Sequence, residues 1–216
     1  NKEDSGVKLL LLHFSKMSST DLILSMDELM PEDLYNDFLY GIDRYIAYNI
    51  PVQHILGYEY FYGHKFVVNA DVLIPRYETE ELVANVLMYY DEVLNGAEVE
   101  VVDLGTGSGC LAVTLDLEEE HMHVTATDIS EEALRTAKMN NENLKANVTF
   151  FQGDWYAPLG DKKFDMIVSN PPYIPVGEYV EDLVVNNEPG VALFGGEDGL
   201  DFYRIILKDA KQHLND

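Results

Sequence analysis

Asp103-Leu104-Gly105-Thr106-Gly107-Ser108-Gly109 follows the valine-rich run Val99–Val102 and precedes the apolar run Cys110–Leu117. The first run reads as a buried strand and the second as a helix, with the glycines as the turn between them. Glycine at such a turn lets the backbone take unusual dihedrals and lets a ligand approach the main chain closely. Loops of this type hold NAD, FAD or S-adenosylmethionine, and a tight turn without a ligand has the same look. Two details separate these readings. The spacing is Gly-x-Gly-x-Gly, not Gly-x-Gly-x-x-Gly, and acidic Asp103 ends the strand. A carboxylate there repels a pyrophosphate but suits the ammonium group of a methionine moiety.

Further along, Val124–Ile129 reads as the next strand. Its end places Asp128 to accept hydrogen bonds from ribose hydroxyls and Ile129 to pack on an adenine face. A helix over Glu131–Asn143, strands over Val148–Gln152 and Phe164–Ser169, and a helix over Phe202–Leu214 follow. This alternation predicts an α/β fold, a doubly wound parallel sheet covered by helices on both faces. Upstream, Thr79–Tyr90 reads as a helix broken by Asn95-Gly96, and β-rich runs flanking Gly63-His64 read as a hairpin. The first fifty residues read as three short helices: Val7–Phe14, one capped within Ser18–Asp21, and one from Pro31 to Ile46 that Pro51 stops. The expected domains are a helical one over 1–53, a hairpin connector over 54–75 and a cofactor-binding domain over 76–216.

The fourth strand runs directly into Asn170-Pro171-Pro172-Tyr173. Ligands of open α/β sheets bind beyond the carboxyl ends of the strands, so this loop and the glycine loop are expected to face one crevice. Two prolines fix φ and remove N–H donors. What remains is a rigid arch of acceptors, the Asn170 side-chain oxygen and the Pro171 carbonyl. An arch of acceptors suits an –NH2 group with two protons to place. Tyr173 adds an aromatic face for a planar amide or base.

Together these motifs resemble the class I S-adenosylmethionine-dependent methyltransferases of amino groups. Within them the chain is most similar to the HemK/PrmC-type release factor glutamine methyltransferases. The similarity spans nearly the whole chain: Pro51–Gly57, Phe61-Tyr62-Gly63, Leu73-Ile74-Pro75-Arg76, Asp103–Gly109, Ser169–Ile174, Glu188-Pro189 and Ala192–Leu200. It implies a Rossmann-like class I methyltransferase domain, a β-hairpin connector, and a small N-terminal helical domain that docks the release factor. It implies S-adenosyl-L-methionine as cofactor and the glutamine of the factor's Gly-Gly-Gln motif as acceptor. Asn170, Pro171, Pro172 and Tyr173 would carry catalysis. Asp103, Gly105, Thr106, Gly107, Ser108, Gly109, Asp128, Ile129, Asp154, Trp155 and Asn170 would hold the cofactor, with Trp155 stacked near the adenine. Arg76 fits the family's Ile-Pro-Arg segment, but Tyr77 stands where proline is expected.

Composition narrows the partners. Fourteen Lys and Arg against 39 Asp and Glu give a net charge of −25 over 216 residues. So acidic a surface works against phosphate backbones and anionic lipid, and suits a basic protein partner. An amino methyltransferase of adenine or cytosine in nucleic acid is the competing enzyme reading, because the arch fits an exocyclic –NH2 equally well. A non-catalytic fragment that binds the cofactor or the release factor is the competing non-enzyme reading. One cysteine, Cys110, excludes an internal disulfide. No segment reads as a membrane span, and the expectation is a cytoplasmic protein. His121-x-His123 lacks a third ligand nearby, so no metal is expected. The resemblance also implies a monomer and further strands beyond the four read here. Their lack after Asp216 would leave a sheet edge open to association.

Overall fold

The computed structural model describes residues 2–215. They form two compact units, one running to Gly57 and including Glu181–Asn187, the other comprising Tyr58–Val180 and the residues from Glu188 onward.

The first unit is helical: α1 (Lys2–Ser15), α2 (Ser19–Leu24), α3 (Glu32–Ile46), α4 (Val52–Leu56) and the single turn α8 (Asp182–Val185). Ser18 caps α2 by accepting the Asp21 N–H at 3.1 Å, while the Asp21 carboxylate takes the Ser18 N–H in return. Pro31 and Pro51 each stand one residue before a helix, so Pro51 opens α4 as well as ending the pattern of α3. Helices α1 and α3 approach closely through glycine. A Cβ on Gly41 would lie 2.5 Å from the Phe14 ring, and one on Gly6 would lie 2.7 Å from Tyr45.

The second unit opens with a hairpin, β1 (Tyr58–Phe61) and β2 (His64–Val67), in register Phe61 to His64. Its turn is Tyr62-Gly63, both at positive φ (49° and 80°), the geometry of a two-residue type I′ turn. Helix α5 (Tyr77–Tyr89) passes into a wider π turn over Tyr90–Leu94. Then come β3 (Val99–Leu104), α6 (Cys110–Glu118), β4 (Met122–Asp128), α7 (Glu131–Leu144), β5 (Thr149–Gln152), β6 (Met166–Val168) and α9 (Asp201–His213).

The four strands are parallel in the order β5-β4-β3-β6. Successive strands therefore run outward from β3 in one direction and restart on its other side. That reversal is the switch point at which open α/β sheets bind ligands. Central β3 is buried along almost its whole length, as a strand covered on both faces must be. Val101, Val102, Leu104, Ala112, Val113, Leu115 and Ala126 are fully buried around it. The fourth strand is shorter than its expected span, because Phe164 leaves the ladder to bridge Leu214 just after α9. Phe164 donates to the His213 carbonyl and accepts from Asn215, each at 2.8 Å, so the edge at that residue is occupied. No described helix is long and apolar enough to cross a membrane.

Candidate active site

The carboxyl ends of β3 and β6 open onto a cleft of about 1070 Å³, open solvent at its mouth included. Gly105, Gly107 and Gly109 all sit at positive φ (74°, 56° and 79°), which explains glycine at every second position. The loop spends its N–H groups internally. Gly105 and Thr106 both donate to the Thr127 carbonyl at 2.9 Å, and Gly107 donates to Asp128 Oδ2 at 2.8 Å. Gly105, Thr106, Gly107 and Ser108 line the cleft, while Gly109 packs beneath it against Ala137.

Of the four aspartates that line that cleft, two stand at strand ends. Asp103, at the end of β3, is 1% exposed, and its Oδ2 has no hydrogen-bond partner among the described residues. Burial pushes its carboxyl up to about 7, and the charge of Asp128 adds to the shift. An orphaned buried acceptor on a cleft wall is completed by a cation, which matches the ammonium group expected there. Asp128 accepts from Gly107 through one oxygen and from Ser130 through the other, at 2.8 and 2.9 Å. A carboxylate has about four acceptor sites, so capacity for ribose hydroxyls remains.

Across the cleft lies the Asn-Pro-Pro-Tyr loop. Asn170 Nδ2 donates to Thr79 Oγ1 at 3.1 Å, which turns Oδ1 away from Thr79. No described residue donates to that Oδ1 or to the Pro171 carbonyl. Asn170 and Pro172 line the cleft; Pro171 is buried between them, and Tyr173 is 56% exposed and outside the lining. The loop is braced from behind: Gly195 donates to the Ile174 carbonyl at 2.9 Å, and a Cβ on Gly195 would meet the Pro172 carbonyl at 2.5 Å.

Ile129, Asp154 and Trp155 line the side nearest β4 and β5. Trp155 holds a left-handed φ of 45°, a strained conformation for a bulky residue. The Thr127 hydroxyl bonding its carbonyl at 3.1 Å and the Phe202 ring at 5.1 Å keep it there. Sequence reasoning gave Thr79 and Phe202 only as the starts of helices and assigned neither to the site. It also missed the partner of Arg76. Glu188, whose side chain is 1% exposed, accepts from Arg76 at 2.6 Å and from the Ile74 N–H at 2.9 Å. Those contacts join distant stretches of chain; Leu73–Arg76 and Glu188-Pro189 each carried a sequence signal, but neither signal pointed to the other.

His121 and His123 both approach Glu98, at 4.0 and 2.8 Å, and His121 Nδ1 contacts Glu119 at 2.9 Å. Among the described residues no group of three or more His, Cys, Asp or Glu side chains is arranged to hold a metal.

Comparison with known proteins places this geometry. Residues 1–57 match the PrmC N-terminal domain, and residues 84–189 match the methyltransferase small domain. A release factor glutamine methyltransferase of Bacillus subtilis is 45% identical over 223 residues, covering 100% of this chain and 76% of that protein. One from Bacillus cereus is 41% identical over 212 residues, covering 96% and 75%. The crystal structure of a methyltransferase from Pyrococcus furiosus covers 86% of this chain and 75% of its own with a TM-score of 0.50. At 20% identity, that likeness speaks for the fold.

Proposed function

This chain belongs to the release factor glutamine methyltransferases, and from that premise we propose that the arch of Asn170 and Pro171 presents the acceptor amide for transfer. The protein moves a methyl group from S-adenosylmethionine to the side-chain amide nitrogen of the glutamine in a release factor's Gly-Gly-Gln motif.

The residues fit that cofactor. Asp103 would take the ammonium group, Asp128 the ribose hydroxyls, and Ile129 and Trp155 would flank the adenine, with Gly105, Thr106, Gly107, Ser108 and Asp154 completing the wall. The cofactor supplies an electrophilic methyl group carried on a sulfonium. An amide nitrogen is a weak nucleophile, because its lone pair is delocalised into the carbonyl. Asn170 Oδ1 and the Pro171 carbonyl each accept one N–H and turn the remaining electron density toward the cleft. Once methylated, the nitrogen would be cationic and acidic, and it would lose to water one of the two protons that the arch holds. None of the six histidines lines the cleft, so orientation carries the rate enhancement. Orientation of this kind supplies on the order of 7 kcal/mol in favourable cases.

The observation that carries this reading is the bond from Asn170 Nδ2 to Thr79, which leaves Asn170 Oδ1 as an acceptor on the cleft wall. The helical residues 1–53 serve as the docking domain for the factor, 54–75 as the connector and 76–216 as the methyltransferase domain. A net charge of −25 favours a basic protein partner over nucleic acid, and the protein works as a monomer. The test is incubation with methyl-labelled S-adenosylmethionine and one of three acceptors: a release factor, its Gly-Gly-Ala variant, or bare DNA. Label in the intact factor alone is expected. Label in DNA, or in neither with cofactor still bound, overturns the reading.

A further inference from the structure

We propose that Thr79 is a positioning residue for the methyl transfer, acting through Asn170 alone by anchoring its amide Nδ2 and so holding Oδ1 in place beside the acceptor. The proposal rests on the reading of Asn170 as an acceptor of the substrate N–H.

The oxygen and nitrogen of an asparagine amide are nearly the same size, so shape alone does not decide which one a site presents. Here the choice matters. With Oδ1 toward the cleft, Asn170 and the Pro171 carbonyl form a face of acceptors only, which matches the two protons of an –NH2. With the amide turned round, the same face would pair a donor with an acceptor. A primary amide nitrogen would then meet an N–H where it needs an oxygen, and the substrate would bind by its carbonyl with its nitrogen misdirected.

The group that answers Nδ2 is the Thr79 hydroxyl at 3.1 Å. Thr79 stands in the first turn of α5, 91 residues away in sequence, is 9% exposed and forms part of the cleft wall. It does not sit in the glycine loop or beside either acidic strand end, so its only route to the cofactor's expected contacts is through Asn170. The backbone around it is independently held: its N–H donates to the Arg76 carbonyl at 3.0 Å, and Val83 and Val86 bury the same helix. Thr79→Val is thus a near-isosteric change that removes the hydroxyl and leaves the helix in place, and Thr79→Ser keeps the hydroxyl.

The experiment measures methyl transfer to a release factor, cofactor affinity by calorimetry, and hydrogen exchange at the Asn170 side-chain NH2 by NMR. The proteins are wild type, Thr79→Val, Thr79→Ser, Asn170→Ala and the double variant Thr79→Val/Asn170→Ala. Thr79→Val should lose kcat by on the order of tenfold, a loss of the size one misdirected hydrogen bond gives. Its cofactor Kd should change far less than its kcat, its Asn170 NH2 protons should exchange faster, and Thr79→Ser should restore both kcat and protection. In the Asn170→Ala background the valine should have no further effect on rate. Full kcat in Thr79→Val, a parallel loss of cofactor affinity, or an undiminished loss in the double variant would each overturn the role. A wild type that labels no factor removes the premise and the proposal together; an active wild type with an indifferent Thr79→Val removes only the proposal. Unchanged NH2 exchange in Thr79→Val overturns it whatever the activity.

Discussion

Asn140 donates its side-chain amide to the carbonyl of Ser108 at 2.9 Å, tying helix α7 to the glycine loop from beneath. The same amide group also brackets Val67, accepting its N–H at 2.7 Å and donating to its carbonyl at 3.0 Å. One fully buried side chain thus joins the end of β2 to the loop that lines the cleft. Buried polar groups are worth little when paired and are costly when orphaned, so this knot is sensitive to loss.

Asn140→Ala leaves backbone groups of Val67 and Ser108 without partners in a dry interior. The expected loss is about 3 kcal/mol. For a chain of this size that is a fall in Tm of roughly 6–12 °C. Because Ser108 lines the cleft, cofactor affinity should fall several-fold as well. Thermal unfolding and calorimetry on the same preparation check both.

Asp103 makes the cofactor-free protein sensitive to pH. An unfolded aspartate titrates near pH 3.9, and in the fold burial pushes this one up to about 7. Between those values the folded state binds more protons than the unfolded state. The contribution of Asp103 therefore falls as pH rises, and its penalty is complete above about pH 7. Asp103→Asn removes the penalty. Without cofactor, that variant should unfold at a higher temperature than wild type at pH 8 and show a flatter stability profile from pH 5 upward. It should also bind S-adenosylmethionine at least tenfold more weakly, since the ammonium group loses its counter-ion. A Tm difference that does not change with pH would show that Asp103 titrates normally.

The Arg76–Glu188 pair is asymmetric, and its variants should be too. The Glu188 side chain is 1% exposed and that of Arg76 is 36% exposed. Arg76→Met strands a buried carboxylate that keeps only the Ile74 N–H, a loss of about 3 kcal/mol once partial solvation is allowed for. Glu188→Gln keeps an acceptor for Ile74 and leaves Arg76 free to reach water, a loss of about 1 kcal/mol. Urea unfolding of the two variants should rank them in that order, and the reverse order would mean that water reaches Glu188.

How far the sequence carries depends on the range of each interaction. Strand β3, the glycine loop and the start of α6 are legible because an apolar run, three glycines and a helix follow one another within twenty residues. The acceptor arch is legible for the same local reason. The hairpin turn is harder: Gly63-His64 looks like its centre, yet the turn falls on Tyr62-Gly63. Tyr62 accepts a positive φ because its N–H reaches Glu80 at 2.7 Å, eighteen residues on. Helix α8 has four residues, too few for any period to show, and its place with the N-terminal helices is a matter of tertiary contact. Thr79 with Asn170, Trp155 with Phe202 and Arg76 with Glu188 belong to the same illegible set. Each pair joins remote segments, and neither partner carries a local pattern that names the other.

Tyr77 turns one departure from the expected pattern into a measurement. It is the first residue of α5, a position where the N–H has no partner inside the helix and where proline's fixed φ is already suitable. The residue before it, Arg76, is extended at φ −102° and ψ 142°, a conformation that proline tolerates in its predecessor. The Tyr77 side chain is 77% exposed, so little packing is lost with it. Tyr77→Pro should thus stabilise the protein by about 0.4–1 kcal/mol, acting through the unfolded chain. Tm should rise by roughly 1–4 °C, and methyl transfer should stay at the wild-type rate because Thr79 two residues on keeps its place. A fall in Tm would mean that the tyrosine ring or its N–H makes a contact that proline cannot.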